Sequence, residues 1–98
     1  MIRHVVMFKW TDDVDAAHVA TVTAELAKLP AAIDQIRSYT HGPDVGAVAG
    51  NFDYVVNGDF DSIDDFFVYR DHPAHQALVN TFIAPHVAER SAAQFTVS

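Results

Sequence analysis

Residues 2–10, Ile-Arg-His-Val-Val-Met-Phe-Lys-Trp, form a β-branched and aromatic run closed by Thr11-Asp12-Asp13, which predicts a strand. Its even positions are Ile2, His4, Val6, Phe8 and Trp10, and its odd positions are Arg3, Val5, Met7 and Lys9. Both sets are apolar in the middle, so both faces are expected to be covered. From Asp13 to Leu29 the period lengthens. Val19, Val22, Leu26, Leu29 and Ile33 follow spacings of 3, 4, 3 and 4, one apolar stripe of a helix. Asp12 or Asp13 is placed to cap its start, Asp15 suits the positive end of its dipole, and Pro30 ends or kinks it.

A second strand fits Ile36 to His41, followed by the turn residues Gly42-Pro43-Asp44, and Gly46 to Asn51 reads as a loop. Phe52 to Phe60 alternates, with Phe52, Tyr54, Val56 and Phe60 on one face and Asp53, Asn57 and Asp59 on the other, which predicts a third strand. Asp61-Ser62 caps a helix through Ile63, Phe66, Phe67 and Tyr69. Pro73 divides it from a further helix, Ala74 to Ala88, carrying Leu78, Val79, Phe82, Ile83 and Val87. Ala93, Phe95 and Val97 alternate as a short fourth strand.

The order β-α-β-β-α-β is that of the ferredoxin-like α+β fold: a four-stranded antiparallel sheet with two helices on one face. Its other face would be open, yet strand one is apolar on both sides. A second copy of the same sheet covers that face most simply, so a homodimer closed around a sheet-on-sheet core is expected.

The bulk numbers narrow the function. The 98 residues make one domain spanning 1–98. Half of them are hydrophobic and only 19% are charged, so either both faces of the elements are covered or part of the surface is meant for a partner. Six basic residues stand against thirteen acidic ones, a formal charge of −7, and the basic ones are scattered. Nucleic acid and anionic membranes are therefore not expected partners. With no cysteine, disulfides, thiolate chemistry and cysteine-based zinc sites are excluded. No run has the length of a signal or a membrane span, so a cytoplasmic location is expected.

Tyr69-Arg70-Asp71-His72-Pro73-Ala74-His75 places a tyrosine and two histidines within seven residues. His72 precedes a proline and is biased away from helical geometry, whereas Pro73 suits the first turn of a new helix. In one continuous helix Tyr69 and His75 would stand about 120° apart. A break at His72-Pro73 lifts that restriction and lets both aim at one cavity. The plainer alternative is a turn between two helices.

Three stretches together resemble the stress-responsive A/B barrel (Dabb) family. His4-Val5-Val6-Met7-Phe8-Lys9 resembles its H-x-V-x-F-K opening, and His41-Gly42-Pro43-Asp44 its glycine-containing exit from the second strand. Asp53-Tyr54-Val55 through Asp59-Phe60-Asp61-Ser62, followed by Tyr69 to His75, resembles its third strand and Y-x-x-H-P-x-H signature. The resemblance spans essentially the whole chain and implies a dimeric α+β barrel. The family includes stress-associated proteins and polyketide cyclases. In the cyclases the tyrosine and second histidine of the signature are the acid–base pair, which fall on Tyr69 and His75. The family's strand-one histidine falls on His4.

A histidine with a pKa of about 6.5 can remove a proton at neutral pH, and a phenol with a pKa of about 10 can donate to a carbonyl or enolate oxygen. The expected function is the binding of a small, largely apolar, carbonyl-bearing molecule. If the protein is an enzyme, its chemistry is cofactor-independent cyclisation, isomerisation or a lyase step, with His75 and Tyr69 catalytic. His4, Phe8, Phe66, Val79 and Phe82 are the expected substrate-binding residues. The alternative is a non-catalytic, stress-associated or ligand-carrying homodimer. An enzyme needs an open cavity reaching Tyr69 and His75, which a purely structural dimer would fill with side chains.

No cofactor and no metal are expected. His72 and His75 lack a third ligand at a recognisable spacing, and His41 and His86 could meet only through the fold. A magnesium site built from Asp53, Asn57 or Asp59 is a weaker alternative, and nothing in the chain selects haem.

Overall fold

The computed structural model describes residues 1–98. Strand β1 spans Ile2–Trp10, helix α1 Ala16–Leu26, a single turn α2 Leu29–Ala32, β2 Ser38–Pro43, β3 Tyr54–Phe60, α3 Ile63–Asp71, α4 Pro73–Leu78 and β4 Val87–Thr96. The sheet is antiparallel in the order β2-β3-β1-β4, the ferredoxin-like arrangement expected.

The even face of β1 packs on the helices. Val6 and Phe8 are buried with Tyr54, Val56 and Phe60 of β3, against Val22 and Leu26 of α1, Leu29 and Ile33, Phe66 and Tyr69 of α3, Leu78 and Ile83. The predicted stripe of α1 is thus the buried one. Its cap is Asp15, not Asp12 or Asp13: the Asp15 carboxylate accepts from the His18 amide at 2.8 Å.

The odd face carries no helix. Val5 stands opposite Asn57 and Ala93, Met7 opposite Val55 and Ser91, and Arg3 opposite Asp59 and Phe95. Val55 and Phe95 are exposed in the single chain. Arg3 makes a bidentate pair with Asp59, at 2.8 and 3.0 Å.

Three element boundaries differ from expectation, each for a local reason. Strand β2 begins at Ser38 and runs through Pro43, whose carbonyl side remains free to pair at the sheet edge. Strand β3 begins at Tyr54, because the Asp53 carboxylate turns to accept the Trp10 amide at 2.9 Å. The expected helix Ala74 to Ala88 stops much earlier. Helix α4 ends at Leu78, widens into a π-helical turn over Val79–Ile83 and closes in a 3₁₀ turn at Ala84–His86. Pro85 lacks the amide a helix would need there. The chain then enters β4 at Val87 and pairs along all of β1, so the fourth strand is ten residues long.

Candidate functional site

The break at His72-Pro73 positions the centre of the site. The Ser62 hydroxyl caps α3 by accepting from the Asp65 amide at 3.1 Å. At its other end His72 is extended, with φ −62° and ψ 135°. It donates its amide to the Tyr69 carbonyl, closing α3, while its Nδ1 accepts from the Ala74 amide at 3.1 Å, opening α4 behind Pro73. The chain changes direction in one residue, and the rings of Tyr69 and His75 come to 4.3 Å between centroids.

The two side chains converge without bonding each other. His75 Nδ1 donates to the Arg70 carbonyl at 3.0 Å. That bond fixes the neutral tautomer, leaving the lone pair on Nε2 for a ligand. The Tyr69 hydroxyl pairs with that of Tyr39 at 2.7 Å. With Tyr39 donating, the Tyr69 proton remains free to give away.

A cavity of about 320 Å³ lies between the sheet and the helical layer. Its floor is His4, Val6 and Phe8 of β1 with Val56 and Tyr39, its wall is Phe66, Tyr69 and His75, and its far side is Leu26, Val79 and Ile83. Arg70 and Arg90 complete it with Ala84 and Val87. The volume is at the small end for ligand sites. Among the expected site residues, Tyr69, His75, His4, Phe8, Phe66 and Val79 all line it. Phe82 lies apart, packed against the core with its carbonyl accepting from His18 Nε2 at 2.8 Å. The π-helical turn shifts it out of the register a regular helix would give.

Gly58 sits at the centre of the floor, opposite His4 on one side and Tyr39 on the other. A Cβ there would come within 3.2 Å of both the Tyr39 and Phe60 rings. Its missing side chain is what lets Tyr39 reach across the sheet to Tyr69.

His4 is buried, and its Nδ1 accepts from the Gln94 amide at 2.8 Å, which puts the proton of its neutral ring on Nε2. Burial, with the charges of Arg90 and His75, brings its pKa down to about 4. Burial also lowers the pKa of His75, with Arg90 adding to the effect against the Arg70 carbonyl. Burial pushes the Tyr69 phenol up to about 12 and raises Tyr39 as well. At neutral pH the cavity therefore offers a lone pair on His75, an N–H on His4 and an O–H on Tyr69. An acceptor, two donors and an apolar lining suit a carbonyl compound with a removable neighbouring proton.

No group of three or more histidine or acidic side chains is placed to hold a metal ion. His41 bonds the Tyr54 hydroxyl at 3.0 Å, whereas His86 pairs with Asp13 at 3.2 Å, so the fold does not bring those two histidines together. Asp53 and Asp59 are held by the Trp10 amide and Arg3. Sequence reasoning did not single out Tyr39, Arg70, Arg90 or Gln94. Tyr39 alone had a signal, its alternation with His41 on one strand face.

No helix is long and apolar enough to cross a membrane. No curated protein sequence matches the chain significantly. Among solved structures, it is similar to a dimeric ferredoxin-like protein of unknown function from Thermobifida fusca. The two are 45% identical over 98% of this chain and 90% of that one, with a TM-score of 0.91. A dimeric protein of unknown function and ferredoxin-like fold from Bacteroides fragilis is 26% identical over 98% and 95%, with a TM-score of 0.82. The hydroxynitrile lyase of Passiflora edulis shares the fold at 17% identity over 99% and 93%, with a TM-score of 0.85. The model of the stress responsive A/B barrel domain matches residues 2–97, and the chain belongs to that family.

Proposed function

We propose that this protein is a homodimer whose subunits each bind a small, largely apolar, carbonyl-bearing molecule in the cavity between sheet and helices, and act on it by cofactor-independent acid–base chemistry. The observation that carries the reading is the His75 ring, held through Nδ1 by the Arg70 carbonyl with Nε2 left without a partner, at 4.3 Å from the Tyr69 ring in an apolar cavity. His75 is the general base that takes a proton from the carbon next to the carbonyl. Tyr69, backed by Tyr39, donates to the oxygen on which charge develops. The His4 N–H holds a further oxygen of the ligand. Aldol cyclisation, keto–enol isomerisation and elimination beta to a carbonyl all begin with this proton transfer.

The homodimer is supported by the uncovered odd face of the sheet, with Val5, Met7, Val55 and Phe95, and by the relatives described as dimeric. The lyase neighbour supports the reading only in that the same fold serves a hydroxynitrile lyase.

The test needs no knowledge of the natural substrate. Solvent-deuterium incorporation next to the carbonyl of small aryl ketones and 1,3-diketones is followed by mass spectrometry. The wild type is expected to accelerate exchange for at least one probe, and His75→Gln to lose a factor of roughly 10² or more. Binding of such probes with no exchange would favour a ligand carrier over an enzyme, and accelerated exchange that survives in His75→Gln would remove His75 as the base.

A further inference from the structure

Six basic side chains serve the whole molecule, and five of them have an acidic partner within 4 Å. Arg3 is paired with Asp59, Lys9 with Glu89, Lys28 with Glu25, Arg37 with Asp61 and Arg70 with Asp71. Arg90 alone has none, in a chain with thirteen acidic residues to choose from. It is also one of the residues lining the cavity.

Its position follows from the register. Arg90 stands opposite Phe8, so its side chain leaves the sheet on the helix-covered face, whereas Glu89 opposite Lys9 leaves on the other. Alternation along β4 thus separates Arg90 from its nearest acidic neighbour in sequence. Arg70, the other cation at the cavity, is already satisfied. Its guanidinium meets both oxygens of Asp71, at 3.0 and 3.3 Å, and lies 4.7 Å from the centre of the Phe67 ring.

From this arrangement we infer that the ligand of the cavity carries a carboxylate, bound by Arg90, in addition to the carbonyl that the Tyr69–His75 end receives. The inference rests on the proposed binding role of the cavity and narrows its ligand to an apolar oxo-acid. A guanidinium presents paired N–H donors that match a carboxylate, and Arg90, exposed at the cavity edge, has those donors free. Arg90 is close enough to His4 and His75 for its charge to lower both their pKa values, so a carboxylate it holds would sit within the same cavity as the acid–base pair. The protein as a whole repels anions, so attraction must come from this local charge.

Two probes of the same shape separate the possibilities: 4-oxo-4-phenylbutanoate and its neutral amide, 4-oxo-4-phenylbutanamide. Their affinities are measured by isothermal titration calorimetry on the intact protein at pH 7.5. The wild type is expected to prefer the carboxylate by roughly ten- to a hundredfold, the ratio a hydrogen bond to a charged group supports. Arg90→Leu should abolish the preference, with the loss falling on the carboxylate, and Arg90→Lys should keep part of it. Equal affinities in the wild type, an equal loss of both probes in Arg90→Leu, or a preference that survives that change would each overturn the inference and leave the cavity reading standing. Binding of neither probe would remove both. Dissociation of the subunits in Arg90→Leu, seen by sedimentation, would also overturn it, by showing that Arg90 serves the contact between subunits.

Discussion

The rings of Tyr69 and His75 lie 4.3 Å apart although six positions separate them in sequence, because the chain turns once at His72 between two short helices. Neither side chain spends its key atom on the other. Tyr69 Oη meets Tyr39, and His75 Nδ1 meets the Arg70 carbonyl. Both hydrogen bonds leave an atom free, as the proposed acid–base roles require.

The pH dependence of turnover follows from the two groups. His75 must be neutral to act, and its pKa lies below 6.5, so kcat/KM should hold through neutrality and fall with one proton as the pH drops below that value. Tyr69 keeps its proton up to about 12, so no alkaline decline should appear below pH 10. An activity maximum flanked by a loss between pH 8 and 10 would contradict the assignment of Tyr69.

Tyr39→Phe removes the donor behind Tyr69 while leaving the cavity shape nearly intact. kcat should fall by roughly fivefold with KM little changed, matching the loss of one hydrogen bond of about 1 kcal/mol that matters as charge develops. Thermal unfolding should move by only a few degrees. Unchanged kcat would show that the Tyr39–Tyr69 pair serves packing alone.

Gly58→Ala tests the floor of the site. The added methyl meets the Tyr39 and Phe60 rings at 3.2 Å. Overpacking of this kind costs about 1–3 kcal/mol, and Tyr39 is the neighbour with room to yield. Urea denaturation should report the loss, and activity should drop as it does in Tyr39→Phe. Unaltered stability together with full activity would mean the floor adjusts freely.

Acid sensitivity isolates His4. Its folded pKa of about 4 lies below the unfolded value of about 6.5, so the folded state binds fewer protons between those limits. The neutral ring's contribution to stability is complete above pH 6.5 and is lost as the pH falls toward 4. His4→Gln should therefore lose less stability than the wild type between pH 6.5 and 4, by denaturant midpoints at matched ionic strength. Parallel curves would show that folding does not lower the pKa of His4.

Val5→Asp places a charge in the middle of the uncovered sheet face, beside Asn57 and Ala93. Burying it in a sheet-on-sheet interface would cost several kcal/mol. Sedimentation should show the wild type as a dimer at micromolar concentration and the variant as a monomer. A variant that stays dimeric would locate the interface elsewhere.

The fold was legible because each element carried its own period: the two-sided strand around Val5 and Val6, the stripe from Val19 to Ile33, and the alternation of Tyr54 and Val56. Tyr69 and His75 were legible too, since a proline after His72 announces the break that joins them. Tyr39, Gln94 and Arg90 were not. Each reaches the site through strand register, and register depends on pairing partners that lie up to 90 positions away, as Gln94 does from His4. The end of α4 was hidden for a different reason. Val79, Phe82, Ile83 and Val87 keep a helical spacing, but the π-helical turn and Pro85 redirect the backbone. That displaces Phe82 from the cavity and hands Val87 to a strand.

The protonation of His75 tests the central claim most directly. In protein carrying ¹⁵N-labelled histidine, the ring nitrogens of His75 are followed by NMR from pH 8 to 4, with and without a carbonyl-bearing probe. The account predicts a neutral ring at pH 7 with its proton on Nδ1, a pKa below 6.5, and an Nε2 resonance that moves when the probe binds. A ring charged at pH 7, or one carrying its proton on Nε2, would contradict it.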